Sequence, residues 1–514
     1  MTDPASQQVP PNAVAIIGAG PAGLVTARWL ASHGFEPIMF EAADHPGGQW
    51  NAASPLSGTW RGMCTNTSRV LTRFSDLDHP ESTPVYPSRE DMHTYLERYA
   101  EHFGLVPRIR CHTQVERLEQ ADGGGWLLRS RRDGEVRTER FARVVVASGR
   151  YVAPEVPAVP RLNSFTGALG AAHTGQYDGP QAYRGKSVLV AGCSISALEI
   201  ASDMALSGAR SVTVCYRRQR YVLPKLLAGV PTDHVMFTRA AGLAGETLPP
   251  DSLAAGLKAT VLRVAGSPDQ FGAMTPDENV FAAGITQSQN FLPLVAEGRI
   301  AVRPWIEAVD GRSVRFADGS TGEFDALLFG TGYRLSLPFL APEVAATLGL
   351  DHSHIDLCDH TFHPELDGLA FVGLYDQVGP FFPVLELQGR WIAYTWAGVI
   401  PAPSREVLAA SLARSRAQRG GPQSIPMQVL ALLFARNAGV EPDLGRWPDL
   451  ERALLFGPLS PVSFRLQGPD SLVNAPALTV AAAACFGAIR SPEMNDEERG
   501  LRDLVTRTDK SYAA

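Results

Sequence analysis

Val14-Ala15-Ile16-Ile17-Gly18-Ala19-Gly20-Pro21-Ala22-Gly23 is the stretch that decides the fold. Its β-branched apolar run reads as a buried strand, its spaced glycines as a tight turn, and the following Leu24 to His33 as a helix. Gly18 permits the turn, and Gly20 lets backbone amides approach a pyrophosphate. Gly23 lets helix and strand pack closely, while the helix N-terminus favours the anion. Pro21 and Ala22 complete the turn and count among the cofactor-contacting positions. A second strand, Pro37 to Phe40, ends at Glu41. An acid at that spacing accepts hydrogen bonds from a ribose diol and repels a 2'-phosphate, so the site should take the ADP half of FAD or NAD. A glycine turn alone is weak evidence, but here strand, helix and acid occur together.

The pattern returns later in the chain. A strand over Ser187 to Ala191 leads into Gly192-Cys193-Ser194-Ile195-Ser196-Ala197 and then a helix over Leu198 to Leu206. This turn departs from the three-glycine form. Small size and hydroxyl donors at Ser194 and Ser196 must stand in for glycine, with Ala197 where the third glycine would be. The next strand, Val212 to Tyr216, ends in Arg217-Arg218-Gln219-Arg220, where the first unit had an acid. Arginine there suits the 2'-phosphate of NADP through charge-assisted hydrogen bonds; a solvated basic strand end is the alternative. An acid in the first unit and arginine in the second imply FAD at one and NADPH at the other, with hydride passing between them.

Between the units lie a helix around Arg89 to Phe103, a β-meander through Gln114-Val115-Glu116 and Trp126-Leu127-Leu128, and a closing strand over Val144 to Gly149. A proline-rich linker, Pro154 to Pro160, marks a boundary. Ala326-Leu327-Leu328-Phe329, running into Gly330-Thr331-Gly332-Tyr333, is read as the chain's return to the first domain. The expected architecture is α/β, with two Rossmann-like dinucleotide-binding domains. A discontinuous FAD domain (1–163 and 325–514, the latter with a C-terminal extension) receives an inserted NADPH domain (164–324).

Composition narrows the function classes. The 514 residues, 45% hydrophobic and 19% charged, suffice for a sizeable core split between domains. A net charge of -7 supplies no broad basic field, so neither nucleic acid nor a membrane is expected as partner. Of the 46 basic residues only Lys186, Lys225, Lys258 and Lys510 are lysines, which leaves little room for Schiff-base chemistry. The six cysteines are scattered, with no C-x-x-C pair, which suits a reducing, cytoplasmic setting. Met1 to Asn12 lacks the pattern of a secretory signal and is expected to be a disordered lead-in. The apolar run Ala475 to Ile489 is shorter than the roughly 20 residues of a membrane span.

The order of motifs resembles the flavin-containing monooxygenase family, within the class B flavoprotein monooxygenases. Pro46-Gly47-Gly48-Gln49-Trp50 resembles its G-G-x-W segment, and Thr65-Asn66-Thr67-Ser68 with Phe74-Ser75-Asp76 resembles its T-N-x-S and F-S-D run. Val144 to Gly149 is similar to its V-V-V-A-T-G strand, Gly330 to Tyr333 to its A-T-G-Y, and Leu385 to Trp391 to its E-L-Q-x-R-W helix. Leu455 to Pro458 and Phe464 to Pro469 resemble closing motifs of the animal enzymes. The linker fingerprint F-x-G-x-x-x-H-x-x-x-Y is met by Phe165, Gly167, His173 and Tyr177, but five residues rather than three separate Gly167 from His173. Tyrosine at its last position favours heteroatom oxygenation over Baeyer-Villiger chemistry. The animal members end in an apolar tail, whereas Glu493 to Lys510 is highly charged, which implies a soluble enzyme.

The resemblance implies that NADPH reduces FAD, that oxygen adds to it, and that a flavin hydroperoxide waits for a small nucleophile, an amine nitrogen or a thioether sulfur. Such a wait needs a dry pocket and a few hydrogen bonds more than it needs acid-base groups. Asn66 matches the asparagine that supports this intermediate, since an amide both donates and accepts. Gln49, Trp50, Thr65, Thr67, Val115, Tyr177, Thr331 and Gln388 join the cofactor-contacting residues on the same ground. A homodimer is entertained as the assembly. The stretch Asp351 to His363 is rich in ligand-type residues but without ligand spacing, and is read as a polar loop rather than a metal site. Cys193 reads as a turn-filling residue, and Phe381-Phe382 as core packing or pocket wall. A disulfide reductase lacks its cysteine pair here, and a redox sensor has less need of a second nucleotide site. A Baeyer-Villiger or N-hydroxylating relative would differ mainly in its pocket.

Overall fold

The computed structural model describes residues 7–506. Its first sheet is parallel, in the spatial order Leu369–Phe371, Arg143–Val146, Ala13–Ile17, Glu36–Phe40, Ile109–Arg110. Both faces are buried, as the unbroken apolar strands require. Val14 and Ile16 pack with Leu24 and Trp29 of the Pro21–Ser32 helix, while Ala13, Ala15 and Ile17 pack with Trp126, Leu128 and Phe141 of the meander. The meander comprises Thr113–Gln120, Trp126–Arg132 and Glu135–Phe141. Gln7–Gln8 pairs with its Glu139 and Arg140, and Val9 packs on the core beneath. The expected disordered lead-in is therefore corrected from Gln7 onward, because that backbone finds an open strand edge; Met1 to Ser6 lie outside the described residues.

A second parallel sheet repeats this plan in the order Gly170–His173, Ala326–Phe329, Ser187–Ala191, Ser211–Tyr216, Ile300–Pro304. Val188 and Val190 face the Ile195–Leu206 helix, and Leu189 and Ala191 face a smaller meander through Ile306, Val314 and Phe316. One expectation is overturned. Ala326–Phe329 does not rejoin the first sheet but sits inside the second, in register with Val188–Ala191 on one side and Gly170–His173 on the other. The boundary drawn at 324/325 therefore cuts this sheet, and the chain rejoins the first sheet only at Leu369–Phe371, beside Val144–Val146. A short apolar run carries no periodicity that says which of two sheets it completes. The extra residues between Gly167 and His173 form a turn at Gly170 (φ +69°), with Leu169 N donating to Asp325 O at 2.8 Å.

The motif helix Phe382–Trp396 clasps distant segments together. Glu386 accepts from Ser75 N at 2.7 Å and from Ser75 Oγ; Arg465 Nη1 donates to Ser75 Oγ at 2.8 Å; and Arg390 Nη1 donates to Phe464 O at 2.9 Å. The F-S-D-like run, this helix and the closing motif are thus parts of one buried network. The stretch rich in ligand-type residues is tied by ion pairs, Arg419 Nη2 to Asp356 Oδ1 at 2.6 Å among them, and among the described residues no group of three or more forms a metal cluster. No described helix is long and apolar enough to cross a membrane. Arg507 to Lys510 of the charged terminus lie outside the described residues.

The tightest local constraint is at the first turn, where a Cβ on Gly23 would fall 2.0 Å from Gly18 O. Gly23→Ala is expected to destabilise the protein by about 1–3 kcal/mol and to lower its flavin content, read by thermal denaturation and by the visible spectrum of the purified chain.

Candidate active site

A cleft of about 2380 Å³ runs along the carboxyl ends of both sheets. That is more than twice the roughly 1,000 Å³ upper range of an ordinary small-ligand pocket. Ile17, Phe40, Ala147, Val372, Tyr216 and the Gly330 backbone all reach it from strand ends, the place where open parallel sheets bind ligands.

On the first sheet's side, Gly18, Gly20, Pro21 and Ala22 line the cleft, and Gly23 is buried in the first turn of the helix. Gly18 has φ +104°, and a Cβ there would meet Ala147 O at 2.6 Å. Gly47 N donates to Ala19 O at 2.9 Å, which places Gly48, Gln49 and Trp50 against the turn. Glu41 is buried, and its carboxylate accepts from Ala19 N at 2.8 Å and Ala43 N at 2.9 Å. Each oxygen keeps a lone pair for a ribose hydroxyl. Thr65, Asn66, Thr67, Val115 and Thr331 also line the cleft.

On the second sheet's side the lining includes Gly192, Ser194, Ser196, Arg217 and Arg218. Gly192 repeats the role of Gly18, since its Cβ would lie 2.3 Å from Gly330 O. Ala197 stands where Gly23 stands in the first turn. Its methyl is accommodated because the facing residue is Gly330, whose own Cβ would come within 2.6 Å of it. Ser194 Oγ donates to Gly330 O at 3.1 Å, so its hydroxyl holds the turn together rather than standing free as expected. Ser196 is exposed to the cleft. Arg217 lies over the Trp305 ring at 4.7 Å, which fixes its guanidinium at the cleft wall. Burial raises the pKa of Cys193 and keeps it a thiol.

Besides Gly23 and Ala197, which pack behind their turns, two expected residues lie outside the lining. Tyr177 is buried with its hydroxyl donating to Asp203 Oδ2 at 2.8 Å, and it meets the cleft only through the edge of Trp60. Gln388 is fully buried: its Oε1 accepts from Gly373 N at 3.1 Å and its Nε2 donates to Phe371 O at 3.0 Å. It therefore acts on the cleft by fixing the strand end at Gly373. Conversely, Arg150 escaped the sequence reading. It lines the cleft 8% exposed, with Nε and Nη1 buried and unpartnered. A basic residue directly after the Val144 to Gly149 strand was the available signal. Burial also pushes Asp233 up to about 6 and His234, a cleft residue, down to about 4.

The residues present fit two dinucleotides. Both turns leave room for backbone close to a ligand, and Asn66 Oδ1, Ser148 Oγ and the Arg150 guanidinium are polar groups on the cleft with no protein partner. Buried polar atoms of this kind call for a bound partner.

Comparisons with known proteins agree. The family model described as Flavin-binding monooxygenase-like matches residues 11–477. Dimethylaniline monooxygenase (N-oxide-forming) 2 of Rattus norvegicus is 28% identical, over 98% of this chain and 94% of its own. Flavin-containing monooxygenase 2 of Homo sapiens is 27% identical over 89% of each. Among solved structures, S-allyl-L-cysteine S-oxygenase from Allium sativum superposes with a TM-score of 0.61 at 24% identity, covering 83% of this chain and 88% of its own. Cyclohexanone monooxygenase from Rhodococcus sp. Phi1, bound to NADP+, superposes with a TM-score of 0.64 at 17% identity, covering 85% and 98%. These two likenesses concern the fold. The chain belongs to the flavin-binding monooxygenase-like family and is a flavoprotein monooxygenase that uses FAD and NADPH.

Proposed function

We propose that the chain transfers one atom of O2 to a soft nucleophile, an amine nitrogen or a thioether sulfur. The observation that carries this reading is that both glycine turns open on one cleft, which also receives the unpartnered amide oxygen of Asn66. FAD and NADPH, when bound, supply the electrons and the activated oxygen. The first turn would hold the FAD pyrophosphate and Glu41 its ribose; Gly192, Ser196 and the adjoining helix would hold that of NADPH, with Arg217 and Arg218 on the 2'-phosphate. Asn66 sits between Thr65 and Thr67, in a turn with no ionisable side chain. Its amide can hold one proton in place without titrating, which slows loss of oxygen as hydrogen peroxide. Trp50, Phe381 and the ring of Tyr151 contribute apolar wall to the cleft. A nucleophile with a free lone pair needs no base, which suits this setting. The name of the rat relative, N-oxide-forming, supports the same substrate class.

The test is turnover of the FAD-loaded chain with NADPH and a simple tertiary amine, thioether or cyclic ketone. An N-oxide or sulfoxide as main product is expected; a lactone as main product would overturn the substrate class. Asn66→Ala is expected to raise peroxide release without substrate about tenfold, a change of about 1.4 kcal/mol in barrier, measured as NADPH oxidation together with peroxide. Arg217→Ala with Arg218→Ala is expected to raise the KM for NADPH by about tenfold to a hundredfold and to leave that for NADH nearly unchanged. Equal effects on both nucleotides would remove the 2'-phosphate role.

A further inference from the structure

Two residues beyond Asn66, the chain is gripped from the inserted domain. Ser68 is fully buried, its amide donates to Asp233 Oδ2 at 2.5 Å, and its hydroxyl lies 3.2 Å from His234 Nε2. Asp233 and His234 are each 2% exposed and sit on the short helix Thr232–Met236. Asp233 Oδ1 and His234 Nδ1 have no partner, and among the described residues no cation pairs with Asp233. A buried carboxylate held by so little is a poor device for stability alone, since burying a charged or unpaired polar group is costly.

Its surroundings suggest another use. Thr232 and His234 line the same cleft as Asn66. Thr232 N donates to Lys225 O at 2.8 Å, and Lys225 Nζ pairs at 2.8 Å with Glu199, on the helix that follows the second glycine turn. On the other side, Thr65 N donates to Pro87 O at 2.9 Å and so fixes the segment ahead of Asn66. The Asn66 turn is therefore held at both ends, once by its own domain and once by the domain of the second nucleotide turn.

We propose that Asp233 and His234 are positioning residues that, through Ser68, hold Asn66 at the reacting oxygen, so that the cleft is protective only while the inserted domain grips this turn. The proposal rests on the reading that Asn66 restrains peroxide release. An Asn at 233 keeps an amide oxygen that accepts from Ser68 N, whereas alanine keeps nothing; this makes the pair of variants diagnostic.

The experiment compares Asp233→Ala, Asp233→Asn, Asn66→Ala and the Asn66→Ala/Asp233→Ala double variant as FAD-loaded full chains. Peroxide-forming NADPH oxidation in air without substrate, anaerobic flavin bleaching by NADPH, and hydrogen exchange of the Thr65–Thr72 amides are read for each. Asp233→Ala should raise peroxide release about tenfold, speed exchange at Ser68, and leave anaerobic bleaching within about twofold. Asp233→Asn should restore most of the coupling, and the double variant should leak no faster than Asn66→Ala. Should Asp233→Ala not retain FAD, Ser68→Ala tests the hydroxyl half of the grip while the amide contact to Asp233 stays: faster peroxide release than the parent is expected, and an unchanged rate would overturn the role of His234. If Asn66→Ala leaks while Asp233→Ala does not, the clamp alone is wrong. If the two effects multiply, Asp233 does not act through Asn66 and the proposal falls. If Asn66→Ala itself does not leak, the underlying reading falls and the clamp with it.

Discussion

Everything functional here depends on two places where backbone lies closer to backbone than a side chain would allow. Gly18 presses against Ala147, and Gly192 against Gly330, each at the carboxyl end of a parallel sheet. Those contacts bring adjacent strand ends together, so the amides of each turn face outward at the edge of its sheet. Since both sheets direct their carboxyl ends at one cleft, the two glycine turns open on a single shared space. A methyl group at either turn would displace the strand end and so alter the cleft before it altered any catalytic side chain.

The second turn shows how one spatial requirement is met by different residues. In the first turn the helix contributes the small residue, Gly23, because the Gly18 carbonyl occupies the space. In the second the helix contributes Ala197, and the vacancy is supplied by the neighbouring strand end, Gly330. Ser194 then closes the gap with a hydrogen bond to that same carbonyl. What persists is the packing distance, and the glycine count is only one way to achieve it. The same lesson applies to the Leu385 to Trp391 motif, whose Glu386, Gln388 and Arg390 do not line the cleft. They hold Ser75, Gly373 and Phe464 in place through buried hydrogen bonds.

Legibility in the sequence followed the range of the forces involved. The strand, turn and helix around Gly18, Gly20 and Gly23, with Glu41 after the next strand, are legible because they are local and obey fixed spacing, as is the strand that ends before Arg217 and Arg218. Ala326–Phe329 was assigned to the wrong sheet because strand pairing is non-local, and four apolar residues fit either edge. Arg150 was missed since a single arginine has meaning only once its burial and lack of partners are known. The grip of Asp233 and His234 on Ser68 was invisible for the same reason, as it joins residues 165 positions apart. Tyr177 and Gln388 were placed by family likeness, which locates a residue in a motif without saying which way its side chain turns.

The position of Ala326–Phe329 also bears on how the chain comes to be folded during synthesis. The second sheet has all its strands once Phe329 has emerged, but the first must wait for Leu369–Phe371. Until then Arg143–Val146 has Ala13–Ile17 on one side and an open, apolar edge on the other. The domain that begins first thus finishes last, after every strand of the second sheet has been made. An exposed strand edge of this kind is a template for pairing with other chains. In a growing polypeptide that edge stays open until Leu369–Phe371 has been made.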